Sequence, residues 1–360
     1  MANKKVLFSG LAMVLAAGVV LAAYQRLVQP KYMSDVVEGN LIADYYNSGK
    51  DHDVLFIGDC ECYENFSPVT LWRNYGISSY IRGSAQQLIW QSYYLLEDTL
   101  RYEKPEVVVF NVLSMKYGEP QNEAYNRMSI EGMRWSSSKI GNIKASMTDE
   151  ESALSYVFPV LRYHSRWSEL TADDFKYYFG AKPDFYSGYY LRADAKPAAN
   201  VPNPTPLTDY AFSDTCWDYL NRMMQLCAEN DIKLVLVKAP SLYPFWYDEW
   251  DQQICEFSEK FHVPYVNFLN ADKLEATGID FETDTYDGGL HLNVYGAEKL
   301  ADWFGGYLKE RYDLQDRSQE PQLKAEWADI CKRYDAEFER QLANLEQYGN
   351  VKGEAEASQA

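Results

Sequence analysis

Chemistry-bearing residues in this chain gather in two short stretches. The first is Asp53-Val-Leu-Phe-Ile-Gly-Asp-Cys-Glu61, where an apolar run halts at Gly58 and a carboxylate, a thiol and a second carboxylate follow at once. A thiol paired with a base is a stronger nucleophile than a serine hydroxyl and forms thioester intermediates. The second is Tyr286-Asp-Gly-Gly-Leu-His-Leu-Asn293, in which Asp287 precedes His291 by four residues and the glycines allow a sharp loop. The six cysteines, Cys60, Cys62, Cys216, Cys227, Cys255 and Cys331, are too few for a dense disulfide framework and match no zinc spacing, so no metal site is expected. Cys216, Cys227 and Cys255 fall on predicted helices and read as small core residues. His52, ahead of the first strand, and His262, at the end of a surface helix, read as structural.

These stretches need elements to hold them. Residues 54–57 predict the first strand of a parallel sheet, and ligands of such sheets sit beyond the carboxyl ends of the strands, where residues 58–61 fall. A helix should follow, with Ser67 as N-cap, Pro68 at its first position and Gly76 at its close. Residues 78–83 predict a second strand, and 87–101 have apolar residues at helical spacing. Residues 106–112, 233–240 and 264–269 are apolar runs suited to strands buried on both faces, with a helix over 246–261 between the last two. Five strands alternating with helices predict an α/β fold, a flavodoxin-like three-layer α/β/α sandwich with a parallel sheet. Residues 117–206 interrupt the rhythm with Tyr- and Trp-rich sequence too long for a plain loop. They read as a helical and irregular insertion over the carboxyl edge of the sheet, ended by the Pro-rich stretch 197–206. A helix over 295–307 follows the His291 loop.

The two stretches resemble the SGNH (GDSL-like) family of esterases and acyltransferases, whose first strand ends in Gly-Asp-Ser and whose Asp and His stand just before a final helix. Phe56-Ile-Gly-Asp-Cys-Glu61 matches the first block and Tyr286 to Asn293 the last, with Gly83 and Asn111 in the middle blocks, so the resemblance spans roughly residues 50 to 312. Two departures stand out: Cys60 occupies the serine position, and Asp287 lies four rather than three residues before His291. The resemblance implies the SGNH-hydrolase fold over 25–312 and a catalytic Cys60, His291 and Asp287, with Asp284 as the fallback carboxylate. It implies oxyanion donors from the backbone amides of Cys60 and Gly83 and from the side-chain amide of Asn111 or Gln87. Asp59 would cap the turn and transfer no proton. The segment Tyr163-His-Ser-Arg-Trp167 is similar to one in exported members of the group, which makes His164, Arg166 and Trp167 candidates for substrate contact. No cofactor is implied.

The implied activity is transfer or removal of an acyl group, acetyl above all, on a cell-envelope glycan or teichoic-acid-like polymer. Anchored members of the group, the D-alanyl-lipoteichoic acid transfer proteins among them, work with a membrane-bound O-acyltransferase, so the resemblance implies such a partner. The alternative is a catalytically silent scaffold in which Cys60 marks a lost serine and the domain binds the glycan or the acyltransferase.

Composition bounds the rest. A hydrophobic fraction of 47% excludes a disordered chain, and a net charge of -19 with no basic stripe argues against a nucleic-acid partner. Residues 6–23 carry no charge and follow Lys4 and Lys5, which predicts a single-pass anchor over 1–24 with the lysines in the cytoplasm and the sheet domain extracytoplasmic. A cleaved signal peptide, with small residues at Ala22 and Ala23, is the rival reading and would make the protein secreted. Residues 31–47 predict a connecting helix, and 313–360 an exposed charged helix with a frayed, partly disordered end.

Overall fold

The computed structural model describes residues 2–29, 38–179 and 186–353. Helix α1 (Ala2–Val28) is 27 residues long. Its segment Phe8–Val28 has a mean hydropathy of 1.8 and is almost wholly exposed, long and apolar enough to cross a bilayer or to be a signal sequence. Helix α2 (Glu38–Asp44) covers part of the expected connecting helix, whose beginning lies outside the described residues.

The sheet begins with β1 (Val54–Gly58) and continues, in chain order, with β2 (Ser79–Gly83), β3 (Val107–Asn111), β4 (Lys233–Lys238) and β5 (Tyr265–Asn267). All pairings are parallel and the spatial order is β2-β1-β3-β4-β5, the flavodoxin-like arrangement expected from the strand-helix alternation. Register aligns Val54 with Ser79 on one side and Val107 on the other.

Side chains alternate across the strands, so each strand feeds two cores. Val54, Phe56, Val109, Val235 and Val237 point into one. Leu55, Ile57, Val108, Phe110 and Leu236 point into the other. The first core is covered by α4 (Pro68–Tyr75), α14 (Val294–Arg311) and α15 (Pro321–Tyr348). The second lies beneath α5 (Ile89–Thr99), α11 (Asp214–Glu229) and α12 (Asp248–Phe261). The helix α3 (Cys60–Tyr63) follows β1 directly, and α13 (Ala271–Thr277) follows β5. Ser67 caps α4 by accepting from the Thr70 amide, Pro68 starts it and Gly76 ends it in the left-handed region.

Two expectations about organisation are corrected. The C-terminal segment is a helix as expected, but one face of it is buried: Trp327 of α15 stacks on Trp72 at 5.2 Å, and Leu323, Ile330 and Tyr334 are buried in the first core. Two of its carboxylates also bind the rest of the domain, Glu326 accepting the Gly49 amide and Asp335 pairing with Arg73 at the surface. The last seven positions lie outside the described residues. The insertion is helical as expected, with α6 (Glu123–Glu131), α7 (Ser137–Ser146), α8 (Ala153–Val157), α9 (Val160–Tyr163), a 3-10 turn (His164–Ser168) and α10 (Ala172–Tyr178). Its final part belongs to the sheet domain, because Tyr186, Tyr189 and Leu191 are buried in the first core and the Ser187 carbonyl accepts the Ile81 amide at the free edge of β2.

Candidate active site

The turn after β1 is set by two small-scale constraints. A side chain at Gly58 would put its Cβ 2.8 Å from Cys62 Sγ and 3.0 Å from Asn111 Cβ, so only glycine lets the neighbouring strand end pack this closely. Asp59 then caps α3 by accepting from the Glu61 amide. Cys60 is the first residue of that helix and is half-buried, whereas Cys62 is fully buried. The Cys60 amide, at the first helical position, lies outside the helical hydrogen-bond ladder. Gly83 ends β2 directly opposite Gly58, close to the Asp59 carbonyl.

His291 comes from the loop before α14, whose start is fixed by Asn293 accepting the Tyr295 and Gly296 amides. Gly288 and Gly289 both have positive φ, 83° and 102°, and the loop curls around the Asp287 carboxylate. One oxygen of Asp287 accepts the His291 and Leu290 amides, and the other lies 2.7 Å from His291 Nδ1. The additional residue between the two is thereby taken up within the loop. Asp284 faces away, accepting the Asp280 amide and pairing with Lys299.

With Nδ1 turned to Asp287, Nε2 is the imidazole nitrogen left for a reacting group; it is buried and has no hydrogen-bond partner among the described residues. The Cys60 sulfur lies close enough to the imidazole for each to shift the other's protonation, although no contact to Nε2 has full hydrogen-bond geometry. Glu64 approaches from the other side, 3.7 Å from His291 Nδ1, and accepts a hydrogen bond from the Tyr286 hydroxyl. The Tyr286 ring lies nearly parallel to the imidazole and carries the Arg192 guanidinium 4.2 Å above it.

Cys60 and His291 are electrostatically linked, each favouring the charged form of the other against the cost of burial. Burial pushes the Cys60 thiol up to about 11, with His291 pulling it down and Asp59 and Glu64 pushing further up. Burial would lower His291, but Glu64, Cys60 and Asp287 outweigh it and hold the imidazolium well above its usual range. Burial acts against Asp287 too, yet its contact with His291 keeps its carboxyl below the usual range.

Behind Cys60 lies a fully enclosed polar network that sequence reasoning missed. Glu61 and Lys238, both 0% exposed, pair at 2.8 Å, and Ser241 donates to the same carboxylate. The Asn111 amide nitrogen donates to Asp59 and to Glu61, both at 3.0 Å, while its oxygen accepts the Ala239 amide. Burial, then the neighbouring Glu61, pushes Asp59 up to about 6. The signal was present: a lysine closing the apolar run of β4 needs a buried partner.

Not every expected site residue joins this group. Both donors of Asn111 serve Asp59 and Glu61, and Gln87 donates to the Arg82 carbonyl and the Ser92 hydroxyl, so neither amide has an N-H directed at Cys60. The physical reason is that buried carboxylates and carbonyls take the nearest donors. His164 and Arg166 sit against the end of α1 instead, the His164 carbonyl accepting from Tyr24 and Arg166 donating to the Val28 carbonyl and pairing with Asp174, while Trp167 in the same turn is exposed. His52 pairs with Glu103 away from the site.

No family model and no curated protein matches the chain. Among solved structures it is similar to a candidate acylhydrolase of Bacteroides fragilis, with 12% identity and a TM-score of 0.36, over 76% of this chain and 97% of that one. It is also similar to a GDSL-like lipase of Bacteroides thetaiotaomicron, with 11% identity and a TM-score of 0.33, over 76% of this chain and 100% of that one.

Proposed function

We propose that the chain is an SGNH-like acyl transferase or esterase, held on the outer face of the membrane by α1, with Cys60 as nucleophile, His291 as acid and base, and Asp287 as the group that orients the imidazole. The observation that carries this reading is the alignment of Asp287 on Nδ1 of His291, which leaves a buried, unpartnered Nε2 on the side of a half-buried Cys60 at the carboxyl end of β1. The Cys60 thiolate, a minor form that has lost its proton to solvent and is paired with protonated His291, would attack the carbonyl carbon of an acyl ester. The alkoxide leaving group would take the proton held by His291, giving the alcohol and an acyl thioester on Cys60. In the second half, neutral His291 would accept the proton of an incoming hydroxyl as its oxygen attacks the thioester, and the departing Cys60 sulfur would be the thiolate again. A sugar or polyol hydroxyl makes the step a transfer, and water makes it hydrolysis. The Cys60 and Gly83 amides are the oxyanion donors in this reading.

The substrate proposed is an O-acylated cell-envelope glycan or teichoic-acid-like polymer, and the partner a membrane-bound O-acyltransferase that supplies acyl groups. Both follow from the family resemblance, and the exposed apolar α1 supports a site close to the membrane.

A second reading has its own observation. The committed amides of Asn111 and Gln87 and the raised thiol of Cys60 suit a silent scaffold that binds polymer or acyltransferase. The experiment that separates them is polymer acylation in cells carrying Cys60→Ala, Cys60→Ser or no protein. Loss of acylation in Cys60→Ala with partial return in Cys60→Ser supports covalent transfer. Full acylation in Cys60→Ala, where deletion abolishes it, establishes the scaffold.

A further inference from the structure

The insertion carries an apolar surface that neither core uses. Among the described residues outside α1, seven of the fifteen large apolar side chains that are exposed fall within residues 154–179. Leu154, Phe158, Leu161, Trp167, Phe175 and Phe179 range from 42% to 81% exposed. A soluble surface rarely gathers so many in one short stretch without covering them.

The elements that carry these residues are packed around the end of α1. Helices α9 and α10 and the 3-10 turn between them all contact it. The Tyr24 hydroxyl donates to the His164 carbonyl, Arg166 donates to the Val28 carbonyl at 2.8 Å, and the Arg26 guanidinium lies over the Tyr178 ring. Gln29 donates to Glu131 of α6, and Val28 is fully buried. The insertion therefore packs against the final turn of the apolar helix and buries Val28, while Arg26 stays exposed.

The length of α1 then sets the height of this surface. Residues 6–23, between the lysines and that final turn, span roughly 27 Å at about 1.5 Å per residue. A hydrocarbon core is about 30 Å thick. With Lys4 and Lys5 at the inner interface, Tyr24 to Val28 must enter the outer interface, and whatever packs on them lies at the same level. A water-facing apolar surface at that depth would meet lipid.

We propose that residues 154–179 form a collar seated in the outer leaflet, at the boundary between headgroups and acyl chains, with Trp167 and the phenylalanines inserted and the sheet domain held against the membrane. The occupant is phospholipid, because the surface continues from the one helix among the described residues that is apolar enough to cross a bilayer, and aromatic side chains favour this boundary. The collar rests on the reading of α1 as a retained span. Its effect would be to limit the reach of Cys60 to groups presented near the bilayer surface.

The test uses the full chain in phosphatidylcholine nanodiscs, with and without phosphatidylcholine brominated near the top of its acyl chains, and compares tryptophan emission of wild type and Trp167→Phe. The protein has nine tryptophans, none of them in α1, so the difference between the two proteins isolates Trp167. The expected result is that brominated lipid quenches wild-type emission and that Trp167→Phe loses most of the quenchable part. Leu161→Ser with Phe179→Ser should reduce the quenching of Trp167 while the thermal unfolding midpoint stays near that of wild type. Equal quenching of wild type and Trp167→Phe, or none in either, overturns the collar if the protein still elutes with the discs. Failure to elute with the discs overturns the anchor instead. Absence of quenching together with cross-linking from position 167 to a membrane protein in cells assigns the surface to that protein and also overturns the lipid proposal.

Discussion

The two sides of the Asp59-Cys60-Glu61 turn differ in how their polar groups are satisfied. On the inner side Glu61, Lys238, Ser241 and Asn111 close a network with no exposed surface. On the outer side Cys60 is half-buried and His291 Nε2 has no hydrogen-bond partner among the described residues, although Asp287 and Glu64 surround the rest of the ring. Both sides hang from the same strand ends. The difference teaches that one turn divides two ways of treating polar groups: buried charges on one face are paired with one another, and on the other a ring nitrogen is left without a hydrogen bond among the described residues.

The strongest way to break this comparison is to remove a partner from the inner side. Lys238→Met should destabilise the fold by about 3–5 kcal/mol, since it strands the Glu61 carboxylate in a dry site. Combining it with Glu61→Leu should recover most of that loss, and Cys60→Ala should be far milder than Lys238→Met. Denaturant unfolding measures all three. If Lys238→Met and Cys60→Ala were equally mild, the inner network would have no structural role.

A sharper probe of the outer side is the pH dependence of Cys60 alkylation. With its thiol pushed up to about 11, labelling should climb through neutral and alkaline pH, by about tenfold per unit while the thiolate is the minor form. His291→Ala removes the charge that lowers the thiol, so labelling at a given pH should fall, and buried Cys62 should remain slower than Cys60 throughout. A pH-independent rate near neutrality would mean that the thiolate already exists there.

The same histidine gives a smaller, thermodynamic effect. Its folded value is raised above the unfolded one, so its contribution to stability is fully present below about 6.5 and is lost as pH rises through the folded value. The stability gap between wild type and His291→Asn should therefore narrow on going from pH 6 toward pH 9. A gap that widens over that interval would contradict the roles given to Glu64 and Asp287.

The smallest expected effect separates the two candidate carboxylates. Asp287→Asn should slow Cys60 labelling at pH 7 because the imidazolium loses its partner on Nδ1. Asp284→Asn should leave labelling unchanged and reduce stability modestly, about 1 kcal/mol, through weaker contacts to Lys299 and the Asp280 amide. Identical labelling of the two variants would remove the distinction.

Much of this was legible from the sequence. The apolar runs of residues 54–57, 106–112 and 233–240 announced strands buried on both faces, found at Val54–Gly58, Val107–Asn111 and Lys233–Lys238, and the turn residues Gly58, Ser67, Pro68 and Gly76 marked where helices start and stop. Such signals are local, because strand burial and capping depend on neighbours in the chain. The pairing of Asp287 with His291 was also readable, since the intervening glycines allow the loop to close on itself.

What the chain alone left open depended on contacts between residues far apart. Asn111 is a plausible oxyanion donor in sequence, yet Glu61, 50 positions earlier, takes one of its hydrogens. Trp327 lies on a helix whose charged sequence reads as exposed, but stacking on Trp72 buries it. His164 and Arg166 read as substrate contacts, and the end of α1, some 140 residues away, claims them. Sequence by itself determined the strands, the caps and the residue types able to do chemistry, because those follow from local propensity and hydrophobic period. Only the tertiary structure decided which donors are spent on buried carboxylates, which thiol stays half open and how far burial raises it, because desolvation and charge coupling are set by neighbours that folding brings together.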